Sequence, residues 1–181
     1  MKRGPTQAQQ QKHLIGAGFS RAATTYDQIG PPLFASFGQR LVELAQPPER
    51  GSVLDVAAGR GAILFPAASQ VGAQGRVIGI DLAEGMVEAT SQEIHRRQIK
   101  HAQMQRMDAE YLTFSPASFD VVCCGFTLFF FPHVEHALLE FSRVLRPAGR
   151  IAVSLWGKPD ERWSWYGDLL KAYPMNWEVA P

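Results

Sequence analysis

The residues best placed by type and spacing to do chemistry lie in the run Val53-Leu54-Asp55-Val56-Ala57-Ala58-Gly59-Arg60-Gly61. A short apolar stretch ends in an acid and then in a loop carrying two glycines. Glycine has no Cβ, so such a loop lets a ligand come close to the backbone. A second apolar stretch, Arg76 to Ile80, ends in Asp81, 20 residues beyond Gly61. A carboxylate there can accept hydrogen bonds from both hydroxyls of a ribose. Together these features point to an adenosine-containing ligand at the carboxyl ends of a parallel sheet. A dinucleotide fits less well. Ala62, Ile63 and Leu64 follow Gly61, so the third glycine of a G-x-G-x-x-G pattern is absent. Asp55 would also repel a pyrophosphate, whereas the same charge favours an ammonium or sulfonium.

The elements that must position these residues follow from periodicity. Leu33, Phe34, Phe37, Leu41 and Leu44 recur at helical spacing, with Pro31-Pro32 before them and Pro47-Pro48 after. Ser52 to Ala58 reads as a buried strand. Ala62 to Val71 reads as a helix, tolerable only with Pro66 in its first turn. Arg76 to Ile80 is a second strand. Glu84 to Lys100 is a helix with Met86, Val87 and Ile94 turned inward, and Glu84 also reads as the partner of Asp81 in a capping box. Lys100 to Met107 and Phe119 to Cys124 follow as strands. Val134, Ala137, Leu138, Phe141, Val144 and Leu145 form a helical stripe, which Pro147-Ala148-Gly149 breaks before a fifth strand, Arg150 to Trp156. This alternation predicts a Rossmann-like α/β fold, a parallel sheet with helices on both faces. Residues 1 to 13 are polar and Gln-rich, and are expected to be mobile.

Composition narrows the classes. The 181 residues suit one domain with a sizeable core. Apolar residues are 46% and charged ones 19%, against a disordered chain. Eighteen basic and 17 acidic side chains leave a net charge near +1, with no basic excess to bind nucleic acid. The only cysteines, Cys123 and Cys124, are adjacent in an apolar run, so they read as inert strand residues rather than a disulfide or metal site. No apolar leader precedes residue 13, and Val121 to Phe131 is too short to span a bilayer, so a cytoplasmic location is expected.

Five segments in register resemble the class I S-adenosylmethionine-dependent methyltransferases, and the group related to ubiquinone and menaquinone C-methyltransferases in particular. Val53 to Gly61 resembles the first motif, with Ala57 where the family usually has glycine. Val77 to Asp81 resembles the second and Met107-Asp108-Ala109-Glu110 the third. Phe119-Asp120-Val121-Val122 is similar to the fourth strand, and Arg143 to Gly149 to the segment entering the fifth. The resemblance implies S-adenosylmethionine as cofactor and S-adenosylhomocysteine as product. It implies that Asp55 and the backbone of Ala57, Ala58, Gly59 and Gly61 hold the methionine part, and that Asp81 binds the ribose. Leu82 and Met86 would pack on the adenine, and Met86 equally reads as core. Asp108 would accept from the adenine amino group, and Ala109 would meet a ring nitrogen. Gly125 and Phe126 would lie beside the sulfonium, and Tyr26, in a lid-like segment with Phe19 and Arg21, would donate to the cofactor carboxylate.

Methyl transfer needs a base only where the acceptor must lose a proton. Glu110, His133 and His136 are candidates by sequence proximity alone. The resemblance divides the chain into an N-terminal arm and lid (1–45), a cofactor-binding core (46–157) and a substrate cap or truncated tail (158–181). That tail reads as a helix around Trp163 to Tyr173 without the family's closing strand pair. An open sheet edge or the aromatic tail would favour a homodimer. The function expected is methyl transfer to a small hydrophobic or aromatic acceptor. The rivals are a cofactor-binding module without turnover that acts through a partner, and a nucleotide-dependent oxidoreductase.

Overall fold

The computed structural model describes residues 4–28, 33–158, 161–163, 165 and 168. Five parallel strands form one sheet: β1 (Ser52–Val56), β2 (Arg76–Asp81), β3 (Ala102–Arg106), β4 (Phe119–Gly125) and β5 (Leu145–Ser154). Their spatial order is β3-β2-β1-β4-β5. The order reverses at β1, which pairs with β2 on one side and β4 on the other. In open α/β sheets the crevice at such a reversal, beyond the carboxyl ends of the strands, is where ligands bind. The expected Rossmann-like architecture is therefore present.

Strand alternation divides the core into two layers. Val53, Val77, Val121 and Cys123 pack against α2 (Leu33–Ala45), α3 (Leu64–Val71) and Ile94 of α4 (Glu84–Arg96). Leu54, Ile78, Ile80, Val122 and Cys124 pack against Ala137, Phe141 and Val144 of α5 (Val134–Val144). The two cysteines thus face opposite sides of the sheet and are both buried and free. Burial pushes both thiols up, Cys124 to about 12, so neither is a ready nucleophile. Pro66 is the third residue of α3, where its missing N–H breaks no bond.

Three local expectations are corrected. Residues 7 to 13 are not mobile but open a helix, α1 (Gln7–Ala22). A reciprocal capping box between Thr6 and Gln9 starts it. None of its side chains is fully buried, and its inner face, with Lys12, Ile15 and Phe19, is only half-buried, so its apolar signal is weak. Pro147-Ala148-Gly149 does not precede the fifth strand but lies inside it, where the pairing with β4 slips between Phe119 and Val121. A bulge absorbs the extra residues there. Ala83, not Asp81, is the N-cap of α4, and Glu84 pairs with Arg106 at 2.9 Å instead of closing a capping box.

Pro31 and Pro32, and most of the tail from 159 onward with its expected helix, lie outside the described residues. Among the described residues no helix is long and apolar enough to cross a membrane. No cluster of His, Cys, Asp and Glu among them could hold a metal.

One glycine seats α2 on the chemistry-bearing loop. A Cβ at Gly38 would drive into the backbone of Ala62. Alanine normally gains about 1 kcal/mol over glycine inside a helix. Forcing extra volume against fixed atoms costs about 1–3 kcal/mol, and here those atoms are backbone. The net cost is up to about 2 kcal/mol, so Gly38→Ala is expected to lower the thermal midpoint by up to about 8 °C. A raised midpoint in calorimetry would show that α2 does not rest on this loop.

Candidate functional site

The carboxyl ends of β1, β2 and β4 open into a crevice of about 1070 Å³. That is at the upper end of the ~300–1,000 Å³ usual for small-molecule sites, which leaves room for two ligands side by side. α1 and the segment after it roof one part, through Lys12, Ile15, Phe19, Tyr26 and Asp27.

The loop after β1 is held in a tight, left-handed path. Ala57, Gly59 and Gly61 have φ of 54°, 51° and 81°. For Ala57 that conformation costs about 1–2 kcal/mol, which glycine would avoid. Gly61 needs to be glycine twice over, since a Cβ there would also strike the ring of Phe65. At Gly59 a Cβ would meet nothing within 4 Å, so its bare face looks onto open space.

Two side chains clamp Gly59 from the far side. Asp81 Oδ2 accepts from the Gly59 N–H at 2.9 Å, and its Oδ1 accepts from Ala83 N–H at 2.9 Å. Thr90 of α4, fully buried, donates its hydroxyl to the Gly59 carbonyl at 2.8 Å. Sequence reasoning passed over Thr90. Its signal was a polar residue on the inward stripe of α4, between Met86 and Ile94.

Asp55 is the electrostatic anomaly. It is 1% exposed, and neither carboxylate oxygen has a hydrogen-bond partner. Burial pushes its carboxyl well above the usual range. The nearby Leu64 amide eases that cost without closing a bond, and the charge of Asp81 adds to it. Asp81 is itself raised by burial, against the amides of Ala83 and Gly59. Tyr26 lines the same crevice, packed between Phe19 and Phe34. Its hydroxyl is pushed up by burial and by Asp81.

The third motif is reached from α1. Lys12 Nζ donates to Asp108 Oδ2 at 2.7 Å and to Glu110 Oε2 at 2.6 Å, while Asp108 Oδ1 accepts from the Glu110 amide at 3.0 Å. Ala109 is buried beside them. Glu110 is 2% exposed and also accepts from the His133 amide at 2.9 Å, so it works as a clamp. Glu110, His133 and His136 line no part of the crevice. The structure thus brings Tyr26, Asp55, Ala57, Ala58, Gly59, Gly61, Asp81, Leu82, Met86, Asp108, Ala109, Gly125 and Phe126 to one crevice, without the three candidate bases.

Beyond β4 the wall is aromatic. Phe126, at a φ of 55°, stacks within 4.5 Å of Trp156, and Phe34 edges both rings. Phe34 and Trp156 are 40% and 58% exposed, which is much bare ring surface for a ligand to cover.

Comparison with known proteins agrees with this geometry. The family model for a methyltransferase domain matches residues 54–153. The chain is 40% identical to the aklanonic acid methyltransferase of Streptomyces sp. (strain C5), over 78% of this chain and 64% of that protein. It is also 40% identical to the nocamycin O-methyltransferase of Saccharothrix syringae, over 90% of this chain and 58% of that protein. The chain thus spans about three-fifths of the length of these curated relatives. A crystal structure of a SAM-dependent methyltransferase from Aquifex aeolicus shares the fold, with a TM-score of 0.70 at 20% identity over 86% of this chain and 87% of that one. With five strands, a glycine loop and acids at the ends of β1 and β2 all in the family's order, the chain belongs to the class I S-adenosylmethionine-dependent methyltransferases.

Proposed function

We propose that the protein transfers the methyl group of S-adenosylmethionine to a small acceptor held against aromatic side chains. The observation that carries this reading is Asp55. A buried carboxylate without a partner is costly, and a cation placed in the crevice relieves it. The cofactor brings an ammonium and a sulfonium together. The bare face of Gly59 leaves the close approach that its methionine end requires. The residues present therefore fit the cofactor.

Bound there, S-adenosylmethionine supplies a methyl group already activated for in-line displacement, so the chain contributes position rather than a covalent group. Asp81 keeps lone pairs for the ribose hydroxyls while it holds Gly59 and Ala83. Leu82 and Met86 offer apolar surface to the adenine. Asp108 can retain Lys12 and still accept from the adenine amino group, because a carboxylate has about four acceptor positions.

The acceptor reading rests on Phe34 and Trp156, with the half-buried Phe126 between them, whose open faces would be covered by an apolar or aromatic molecule and would keep water from the transfer. Two relatives named for aklanonic acid and nocamycin support a small acceptor. A binding module without turnover is not favoured, since those relatives are named as methyltransferases.

Calorimetric titration with S-adenosylhomocysteine is expected to give saturable, roughly micromolar binding, weakened about 10- to 100-fold by Asp81→Ala. No binding by folded wild-type protein overturns the proposal. With binding established, Trp156→Ala should raise KM for an aromatic acceptor about tenfold and leave the Kd for S-adenosylhomocysteine unchanged. Equal loss in both would place Trp156 in the cofactor site instead.

The raised carboxyl of Asp55 sets a pH dependence. The folded, ligand-free protein holds that proton more tightly than the unfolded chain does. Its stability therefore falls as pH rises from the ordinary carboxylate range through the raised pKa of Asp55. A cationic ligand restores the ionised form. Cofactor affinity should rise with pH over the same interval and be lost as pH falls below it. In Asp55→Asn the affinity should drop about tenfold and the pH dependence should flatten. A thermal-shift series over pH with and without S-adenosylhomocysteine reads both effects, and an unchanged slope in the variant would assign the titration to another group.

A further inference from the structure

Four cationic side chains line the crevice among the described residues: Lys12, Arg60, Arg96 and Arg97. Three have close carboxylate partners. Lys12 holds Asp108 and Glu110 at 2.7 and 2.6 Å, and Arg96 and Arg97 share Glu93, each with a contact of 2.6 Å. Arg60 differs. Its side chain is only 19% exposed, and its Nε and Nη1 are buried with no hydrogen-bond partner. Its nearest anion is Asp27, whose Oδ2 lies 3.5 Å from Nε, too far and too poorly aligned for a hydrogen bond. The Asp27 carboxylate is itself 50% exposed, so water competes for it.

A guanidinium presents a planar fork of donors matched to the two oxygens of a carboxylate. Leaving such donors dry and unmatched costs free energy that a fitting anion would recover. Arg60 stands between Gly59 and Gly61, on the loop that offers the bare approach, and Asp55 ends the strand that leads into it. One crevice is thus lined by an acid and a base, five residues apart in the sequence, that each have buried hydrogen-bonding atoms without a partner. The ligand chemistry complementary to that pair is a zwitterion, the ammonium and carboxylate of an α-amino acid.

On the cofactor reading given above, we propose that Arg60 binds the α-carboxylate of the methionine end of S-adenosylmethionine, and that Asp27 stands in for that carboxylate when the crevice is empty. The exchange replaces a loose 3.5 Å ion pair by a two-oxygen contact and frees Asp27, which follows the roof helix α1. It also reassigns Tyr26. Its ring packs between Phe19 and Phe34, and the cation for the carboxylate comes from the loop itself.

The test compares two ligands by calorimetric titration of the full chain. One is S-adenosylhomocysteine, and the other is its analogue with hydrogen in place of the α-carboxylate. Wild-type protein should prefer the carboxylate-bearing ligand by roughly 10- to 100-fold. Arg60→Gln should lose about that factor for S-adenosylhomocysteine and stay within about twofold for the analogue. Arg60→Lys should recover part of the preference. Asp27→Asn, which removes the competing anion and leaves the loop intact, should bind S-adenosylhomocysteine about two- to fivefold more tightly and the analogue unchanged. Equal losses for both ligands in Arg60→Gln would mean that Arg60 only shapes the loop, and would overturn the assignment while leaving the cofactor reading intact. Folded wild-type protein that binds neither ligand would overturn the cofactor reading and this inference with it.

Discussion

The carboxylate of Asp81 is the joint on which the crevice depends. Its two oxygens accept from Gly59 after β1 and from Ala83 before α4, so one side chain fixes the loop, the end of β2 and the start of a helix relative to one another. Thr90 completes the hold by donating to the other side of Gly59. Both backbone groups of Gly59 are thereby tied down, and its Cα position is left open, with nothing within 4 Å of an added Cβ. The parallel register of β1 with β2 makes this possible, because it pairs Val56 with Ile80 and so brings the two strand ends level. A one-residue slip would turn Asp81 to the opposite face.

The crevice is costly in the absence of a ligand, and its costs have a pattern. Ala57 and Phe126 sit in a left-handed conformation that L-residues avoid, as do five other described non-glycine residues outside the crevice, so it is the unmet polar groups that distinguish the site. Asp55 and Arg60 are buried polar groups with hydrogen-bonding capacity unspent. Elsewhere the polar groups find close partners. Arg143 reaches Glu140 and the carbonyls of Leu112 and Phe114, and Asp120 accepts from the Ser52 amide and Arg146. Unmet groups collected at one place, against a background of met ones, mark a site shaped for something that is bound there.

The sheet was legible because its signals are local. Apolar runs of strand length, closed by glycine or by an acid, gave β1 and β2 and the acids at their ends. The stripe of Ala137, Phe141 and Val144 gave α5. What escaped depends on contacts between distant residues. Lys12 meets partners 96 and 98 residues away, and nothing near it in the sequence shows this. α1 has no fully buried side chain and a charged Lys12 on its inner face, so its periodicity was faint, and its capping box went unnoticed. Asp81 followed by Glu84 had the spacing of a cap, but the glycine loop captured one carboxylate oxygen and Arg106 captured Glu84. Arg60 drew no reading of its own between two glycines. Its importance lies in what it lacks, which only the packed structure reveals.

The way α1 is held decides how a ligand reaches this crevice. No side chain of the helix is fully buried, but Phe19 packs on the cluster of Ala23, Ala83 and Met86, and Gly16 lies against Leu82. Its polar contacts are Lys12 to Asp108 and Glu110 and the Gly85 amide to Ser20 Oγ at 3.2 Å, and the ring of Phe19 also meets Phe130. Hydrogen bonds are worth about 1 kcal/mol each, and about 1.5–3 when charged. Lifting the roof breaks these contacts and uncovers a half-buried face, while separating the central strands would expose a continuous apolar core. The two ends of the roof are pinned to the groups proposed to meet opposite ends of the cofactor: Lys12 lies on Asp108, and Asp27, just beyond the helix, leans on Arg60. A ligand that engages Arg60 displaces the Asp27 pin, while Asp108 keeps Lys12 and still accepts from the ligand, so the two ends of the roof respond differently to occupancy.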